Sequence, residues 1–305
     1  MNESSPNALN RGSASESQSQ SQSQSQSQGQ SQSQGQSVSP HGFGSLLGPH
    51  GTGSLLGPQD PPPFRVIEPG EKSPYLLSAD HAGRLIPAGL GTLGVSQEAL
   101  STHIGWDIGI AGVTERLAGK LPAFAILQTY SRLVIDCNRP LHVESSIAIL
   151  SEHTEIPGNR GLDAEQKATR AREIFEPYHA RLLAEFERRE REREPIVYVA
   201  MHSFTPRFKG VDREWHMGVL YHRDRRLPDR LLPLLRAEGL TVGDNQPYFV
   251  SDQTDYGVPT YGEQRGHVHV ELEIRQDLIA EPDGQERFAA LLARVLPLAA
   301  APFLP

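Results

Sequence analysis

Apolar residues fall in short runs separated by polar, Gly- and Pro-rich stretches, the rhythm of buried strands alternating with helices. Tyr75–Ser78, Ala123–Leu127, Ile196–Met201 and Gly218–Tyr221 read as strands. Ile108–Gly119, Asp163–Arg193, Leu227–Glu238 and Phe288–Leu298 carry helical apolar spacing. Pro177 should kink or split the second of these helices, and Pro233 should interrupt the third. Leu133–Ile135 is a short apolar run that predicts a buried strand, bracketed by Arg132 and Arg139. From His267 to Arg275 polar and apolar residues alternate strictly. His267, His269, Glu271, Glu273 and Arg275 therefore share one strand face, and Val268, Val270, Leu272 and Ile274 the other. Strands interleaved with helices predict an α/β fold of three layers, a mostly parallel or mixed sheet flanked by helices.

The N-terminal part breaks this rhythm. Residues 1–40 are dominated by Ser and Gln and cannot bury enough apolar surface to order themselves. A tandem repeat, Gly-Ser-Leu-Leu-Gly-Pro, follows at 44–49 and 53–58. Pro61–Pro63 mark the expected boundary, giving a disordered tail and linker over 1–63 and a single domain over 64–305. Two long irregular stretches, 141–162 and 244–261, read as binding or lid loops. Glu185–Glu194 alternates in sign and reads as a solvated helix end.

Composition narrows the function classes. The net charge of −8 over 305 residues argues against nucleic acid as the main partner. No apolar run approaches the roughly 18 residues that cross a bilayer. The lone cysteine, Cys137, excludes an intrachain disulfide scaffold. With no apolar signal core at the N-terminus, the expected compartment is the cytoplasm.

The chemistry-bearing residues sit where strands end. His81 follows the first strand in Ala79–Arg84, and His202 follows the clearest strand of the chain. Ligands of open α/β sheets gather at carboxyl ends of strands, so the two histidines can face one crevice. Asp107 stands at the start of a helix, as an N-cap or as a metal ligand. His103 lies four residues before it and shares its face if the helix starts early. A guanidinium at the end of a buried run needs an anion. Arg132 and Arg139 therefore either pair with a carboxylate such as Asp136 or grip an anionic ligand. Glu273, at the end of the alternating strand, is a candidate general base.

Taken in order, Ser78–Gly83, His103–Gly109, Ser131–Arg139, Met201–Ser203 and Glu273–Leu278 resemble the N-formylglutamate amidohydrolase family. That family is similar in turn to zinc carboxypeptidases and aspartoacylase. The resemblance covers Tyr75 to the C-terminus. It implies a zinc-carboxypeptidase-like hydrolase fold with one zinc per chain, held by His81, His202 and a carboxylate. Relatives take that carboxylate from His-x-x-Glu, but position 84 is Arg here, so Asp107 is assigned and His103 is the reserve. The resemblance also implies Glu273 as base and Arg132 at the oxyanion. It places Asn138, Arg139 and Arg275 on the substrate, a small N-acyl amino acid such as N-formylglutamate, and it implies a place in histidine degradation. A carboxypeptidase, an acyl-aspartate deacylase and a silent binding protein are the alternatives. For a second substrate carboxylate, Arg160, Arg207, Arg213 and Arg265 all remain open.

Overall fold

The computed structural model describes residues 53–305, and within them the apolar runs pair side by side in one mixed sheet. In chain order the elements are β1 (Phe64–Ile67), β2 (Tyr75–Ala79), α1 (Gln97–Leu100), α2 (Ile110–Lys120), β3 (Phe124–Gln128), β4 (Leu150–Ser151), β5 (Thr154–Glu155), α3 (Ala164–Arg170) and α4 (Glu176–Glu192). Then come β6 (Val197–Phe204), β7 (Arg207–Phe208), β8 (Val211–Asp212), β9 (Met217–Leu220), α5 (Pro228–Ala237), β10 (Val242–Asp244), β11 (Val268–Arg275) and α6 (Pro282–Ala300). The seven-stranded sheet has the order β1-β3-β2-β6-β11-β9-β10. Strands β3, β2, β6 and β11 run parallel, β1 is antiparallel to β3, and β9 is antiparallel to β11. This is the three-layer α/β architecture expected from the sequence.

Each sheet face buries its own cluster. On one face Leu77, Val199, Val270 and Leu272 meet α2, α5 and α6 through Val113, Leu117, Leu231 and Leu292. On the other, Leu76, Ile126 and Tyr198 meet α4 through Tyr178, Leu182 and Phe186. Strand β11 shows what its alternation meant. It lies between β6 and β9, and apart from half-buried Arg275 every residue in it is buried. Its apolar side chains enter the first cluster. Its polar ones, Glu271 and Glu273, turn to the second face, where the sheet opens into a cavity.

Two expectations are corrected and one holds. Leu133–Ile135 is buried but forms turns rather than a strand. The carbonyls a strand would pair are taken by side chains instead: Asn159 donates to Leu133 O at 2.8 Å and Arg170 to Val134 O at 2.8 Å. The long helix divides before Pro177, as expected, through one wide turn over Ala171–Phe175. Pro233 does not interrupt α5. The carbonyl it leaves without a donor belongs to exposed Asp229, while Leu231, Leu232 and Leu235 anchor the helix.

The second copy of the tandem repeat is tied to the body. Ser54 Oγ and the Leu55 and Leu56 amides all donate to the Glu173 carboxylate, at 2.7, 3.0 and 2.9 Å. Leu55 and Leu56 pack against the second cluster, and Tyr130 Oη donates to Pro61 O at 2.6 Å. The first copy and the Ser/Gln tract lie outside the described residues. Glu173→Ala should cost about 1 kcal/mol and lower the thermal midpoint by roughly 2–4 °C. An unchanged midpoint would show that the segment gains nothing from this anchor.

Candidate active site

The site assembles where β2, β6 and β11 present their carboxyl ends side by side. Residue 202 on β6 is in register with residue 273 on β11, so His202 and Glu273 are lateral neighbours. His81 leaves β2 two residues past its end. The Asp107 amide donates to His81 O at 2.9 Å, which ties the approach to α2 onto β2. Gly109, with φ of 81°, then turns the chain into α2. A Cβ there would lie 2.1 Å from Ile279 O, so the turn requires glycine. Because Gly109 occupies the N-cap, the Asp107 carboxylate is free to face β6.

Three donor atoms converge. His202 Nδ1 lies 3.2 Å from His81 Nδ1 and 3.1 Å from Asp107 Oδ2, and His81 Nδ1 lies 3.6 Å from the same oxygen. A tetrahedral zinc with bonds near 2.0–2.1 Å sets its ligands about 3.3 Å apart. Two nitrogens and one carboxylate oxygen at this spacing fit such an ion, and all three residues are buried. One outer ring nitrogen is hydrogen-bonded to a carboxylate, and the other faces one beyond hydrogen-bond reach. His81 Nε2 donates to Asp136 Oδ1 at 2.7 Å, and His202 Nε2 faces Asp80 Oδ2 at 3.8 Å. Tyr178 Oη donates to the other Asp80 oxygen. Carboxylates behind ligating imidazoles fix their tautomer and aim.

Arg132 joins the parts. Its Nη1 reaches Asp107 Oδ1 at 3.2 Å and its Nη2 reaches Asp136 Oδ2 at 3.3 Å. Burial and Arg132 both disfavour a charged His81, but Asp136 and Asp107 outweigh them and raise it to about 9. Burial would push the Asp107 and Asp136 carboxyls up, yet His81 and Arg132 hold both below the usual range. Glu273 goes the other way: burial and the Asp107 charge raise it, and Arg132 and His81 only partly offset them. Glu271 is raised by burial, Asp255 and Glu273.

These residues line a cavity of about 490 Å³ together with Asn138, Arg139 and Asp255, a size suited to a small molecule. Asn138 is held to the loop beyond it: its Nδ2 donates to Asp255, and its Oδ1 accepts from the Tyr256 and Gly257 amides. Arg139 Nη1 donates to Asn138 O and Thr254 O, and among the described residues none accepts from its Nη2. Arg275 is not on the cavity wall; Asp277 takes its guanidinium at 2.8 Å. His103 lines the mouth and pairs with Glu152 at 3.1 Å, away from the converging donors. The sequence reading missed Asp80, the seat of His202, although it precedes His81 directly. It also left Glu271 without a role, although Glu271 shares the face of Glu273. Gly218 lies opposite Glu273, where a Cβ would stand 2.3 Å from Gln246 O and 3.3 Å from Glu273 Cβ.

Comparison with known proteins points to one family. A family model described as N-formylglutamate amidohydrolase matches residues 73–280. A crystal structure of a gene product from Agrobacterium tumefaciens is 34% identical, with a TM-score of 0.79 over 82% of this chain and 99% of that one. The N-formylglutamate amidohydrolase of Ralstonia eutropha is 20% identical, with a TM-score of 0.58 over 79% of this chain and 96% of that one. Among curated proteins none matches.

The His81 shift gives a pH prediction for protein stripped of metal by a chelator. A histidine raised from 6.5 to about 9 contributes stability that is complete below pH 6.5 and is lost as the pH climbs through 9. Stability measured by denaturant unfolding should fall by on the order of 2 kcal/mol between pH 6.5 and 9. His81→Gln should flatten that slope, and an equal slope in the variant would assign it to other groups.

Proposed function

The chain belongs to the N-formylglutamate amidohydrolase family, and we propose that it is a zinc-dependent amidohydrolase that removes a short acyl group, formyl first, from an N-acyl amino acid. The observation that carries this reading is the meeting of His81 Nδ1, His202 Nδ1 and Asp107 Oδ2 on the floor of the cavity, with Glu273 on the adjoining strand. A divalent ion held by those three donors supplies Lewis acidity, activating water and polarising the scissile carbonyl.

The remaining work falls to the chain's own side chains. Glu273 takes a proton from the attacking water and delivers it to the departing amine nitrogen. Its carboxyl is raised by burial and by Asp107, and added positive charge in the site favours the ionised form that a base requires. Arg132 lies beside Asp107 and meets the negative charge that builds on the carbonyl oxygen; losing one such donor costs roughly 3 kcal/mol in the transition state. Arg139 receives the α-carboxylate and so fixes the amide over the floor. Water adds to the acyl carbon, the carbon–nitrogen bond breaks, and a carboxylate and a free amino acid leave. N-Formylglutamate is the reference substrate, with formate release as the readout.

Metal analysis of purified protein should return about one zinc per chain, and chelation should abolish turnover until zinc is restored. Full activity in metal-free protein would end the reading. Glu273→Gln should lower kcat by roughly 10²–10⁴-fold with little change in KM. Undiminished turnover would remove Glu273 from proton transfer.

A further inference from the structure

The β7–β8 hairpin stands over one side of the cavity, and Arg213 follows it directly. The Arg213 amide donates to Pro206 O at 2.8 Å, which closes the base of the hairpin, and its carbonyl accepts from Arg275 at 3.4 Å. With the backbone held on both sides, the half-buried guanidinium rests on three rings of the cavity wall. Its central carbon lies 5.7, 4.7 and 4.6 Å from the ring centres of Phe204, Phe208 and Tyr248. Phe204 is two residues past His202 on β6 and shares its face, so these rings join Arg213 to the strand end that carries the converging donors.

The guanidinium is only partly used. Both of its hydrogen bonds leave from Nη1, to Tyr248 Oη at 2.8 Å and to Thr205 O at 3.4 Å. Among the described residues nothing accepts from its Nε or Nη2, and no carboxylate pairs with it. The Nε–Nη2 edge is a pair of parallel N–H groups, the shape that holds a carboxylate bidentately. The other three arginines left open for a second carboxylate are paired: Arg160 with Glu155, Arg207 with Asp212, and Arg265 with Glu190. Within the cavity Arg132 is shared by Asp107 and Asp136, and the α-carboxylate of the proposed substrate uses Arg139. At the mouth Glu152 is already answered, by His103 at 3.1 Å and by the Lys209 amide at 2.9 Å. Burial dominates both Glu273 at the floor, which it raises, and His103 at the mouth, which it lowers. The Arg213 charge acts on both, favouring ionised Glu273 and neutral His103, so it reaches into the cavity.

We propose that Arg213 is a specificity-determining residue of this site: its Nε–Nη2 edge grips the side-chain carboxylate of a dicarboxylic N-acyl amino acid, while Arg139 holds the α-carboxylate. The inference rests on the amidohydrolase reading above and assigns a residue to the substrate's second anionic group. Two carboxylates on one ligand then meet two separate guanidiniums. A neutral side chain such as that of glutamine brings one acceptor and no charge, and leaves the fork incompletely paired.

The test is a kinetic comparison, on the zinc-loaded full chain, of N-formyl-L-glutamate with its neutral isostere N-formyl-L-glutamine. The intact protein should favour N-formyl-L-glutamate in kcat/KM by at least about tenfold. Arg213→Gln should cut that preference by about tenfold, chiefly through KM for N-formyl-L-glutamate. Arg213→Lys, which keeps the charge and loses the fork, should fall between the two. A merely structural Arg213 would lower both substrates together, so an unchanged ratio in Arg213→Gln would overturn the subsite, as would equal kcat/KM on the two substrates in the intact protein. Where Arg213→Gln fails to fold, Arg213→Lys decides by the same criterion. Calorimetric titration with free glutamate and free glutamine reads the preference without turnover: glutamate should bind more tightly to the intact protein, and Arg213→Gln should abolish the difference. Failure to hydrolyse either substrate, with that binding pattern intact, would overturn the reaction and support the subsite. Equal binding of the two amino acids, or binding of neither, would overturn the subsite.

Discussion

The Arg132 guanidinium spans two carboxylates that would otherwise repel each other inside the protein. Asp107 and Asp136 are both buried, and each also faces His81. Buried charges of one sign cannot remain ionised side by side unless something positive lies between them. Arg132 and His81 are those elements. Because Arg132 is shared, Asp107 keeps one oxygen for His202 and Asp136 keeps one for His81. The imidazoles are thereby aimed at a common point by a charge that need not touch either ring. The arrangement depends on a segment with no regular structure of its own, which is itself held by Arg170 and Asn159. Arg170 is fully buried and donates to carbonyls and to an amide oxygen, so its cost of burial goes into fixing the loop that carries Arg132.

The sheet divides its two faces between stability and chemistry. One face is covered by α2, α5 and α6 mainly through aliphatic side chains, with Phe288 of α6 among them. The other is covered by α4 and by the irregular stretch after β3, and there Tyr130, Tyr178, Tyr198 and Tyr261 stand among the aliphatic side chains. Tyr178 shows why: its ring packs in the cluster while its hydroxyl donates to Asp80. Tyr198 does the same toward Ser78, at 2.8 Å. Aromatic residues with a polar handle let a dry core end against an ionic site by giving buried oxygens such as those of Asp80 and Ser78 a partner.

Much of this was legible in the sequence, because strand and helix periodicities are local. The ends of β2, β6 and β11 could be placed from apolar runs, and His81, His202 and Glu273 at those ends line one cavity. The strand reading of Leu133–Ile135 failed for a reason composition cannot reveal. Apolar content reports burial, but whether a buried segment extends or turns depends on distant partners for its carbonyls, here Asn159 and Arg170. Arg275 was misplaced by proximity: two residues beyond Glu273 it shares the strand face, yet Asp277 draws it away. Asp80 was legible in principle, adjacent to His81. Its role becomes visible only when β6 brings His202 beside it, a pairing across more than a hundred residues.

The electrostatics also set how a cation and a proton relate at this site. In protein without an ion, the negative field of Asp107 and Asp136 is answered in part by a proton on His81, which is why that imidazole is raised to about 9. A divalent ion answers the same field more completely, but it requires the lone pair of His81 Nδ1. The two would be mutually exclusive on this ring, and ion uptake would release a proton wherever His81 is charged beforehand. Glu273 belongs to the same balance. Burial and Asp107 favour its neutral form, and each positive charge brought near it favours the ionised one. An ion held as proposed would displace the proton from His81 Nδ1 and favour the ionised form of Glu273. That coupling would follow from placing the Asp107 and Glu273 carboxylates in one buried site with the charge of Arg132 acting on both.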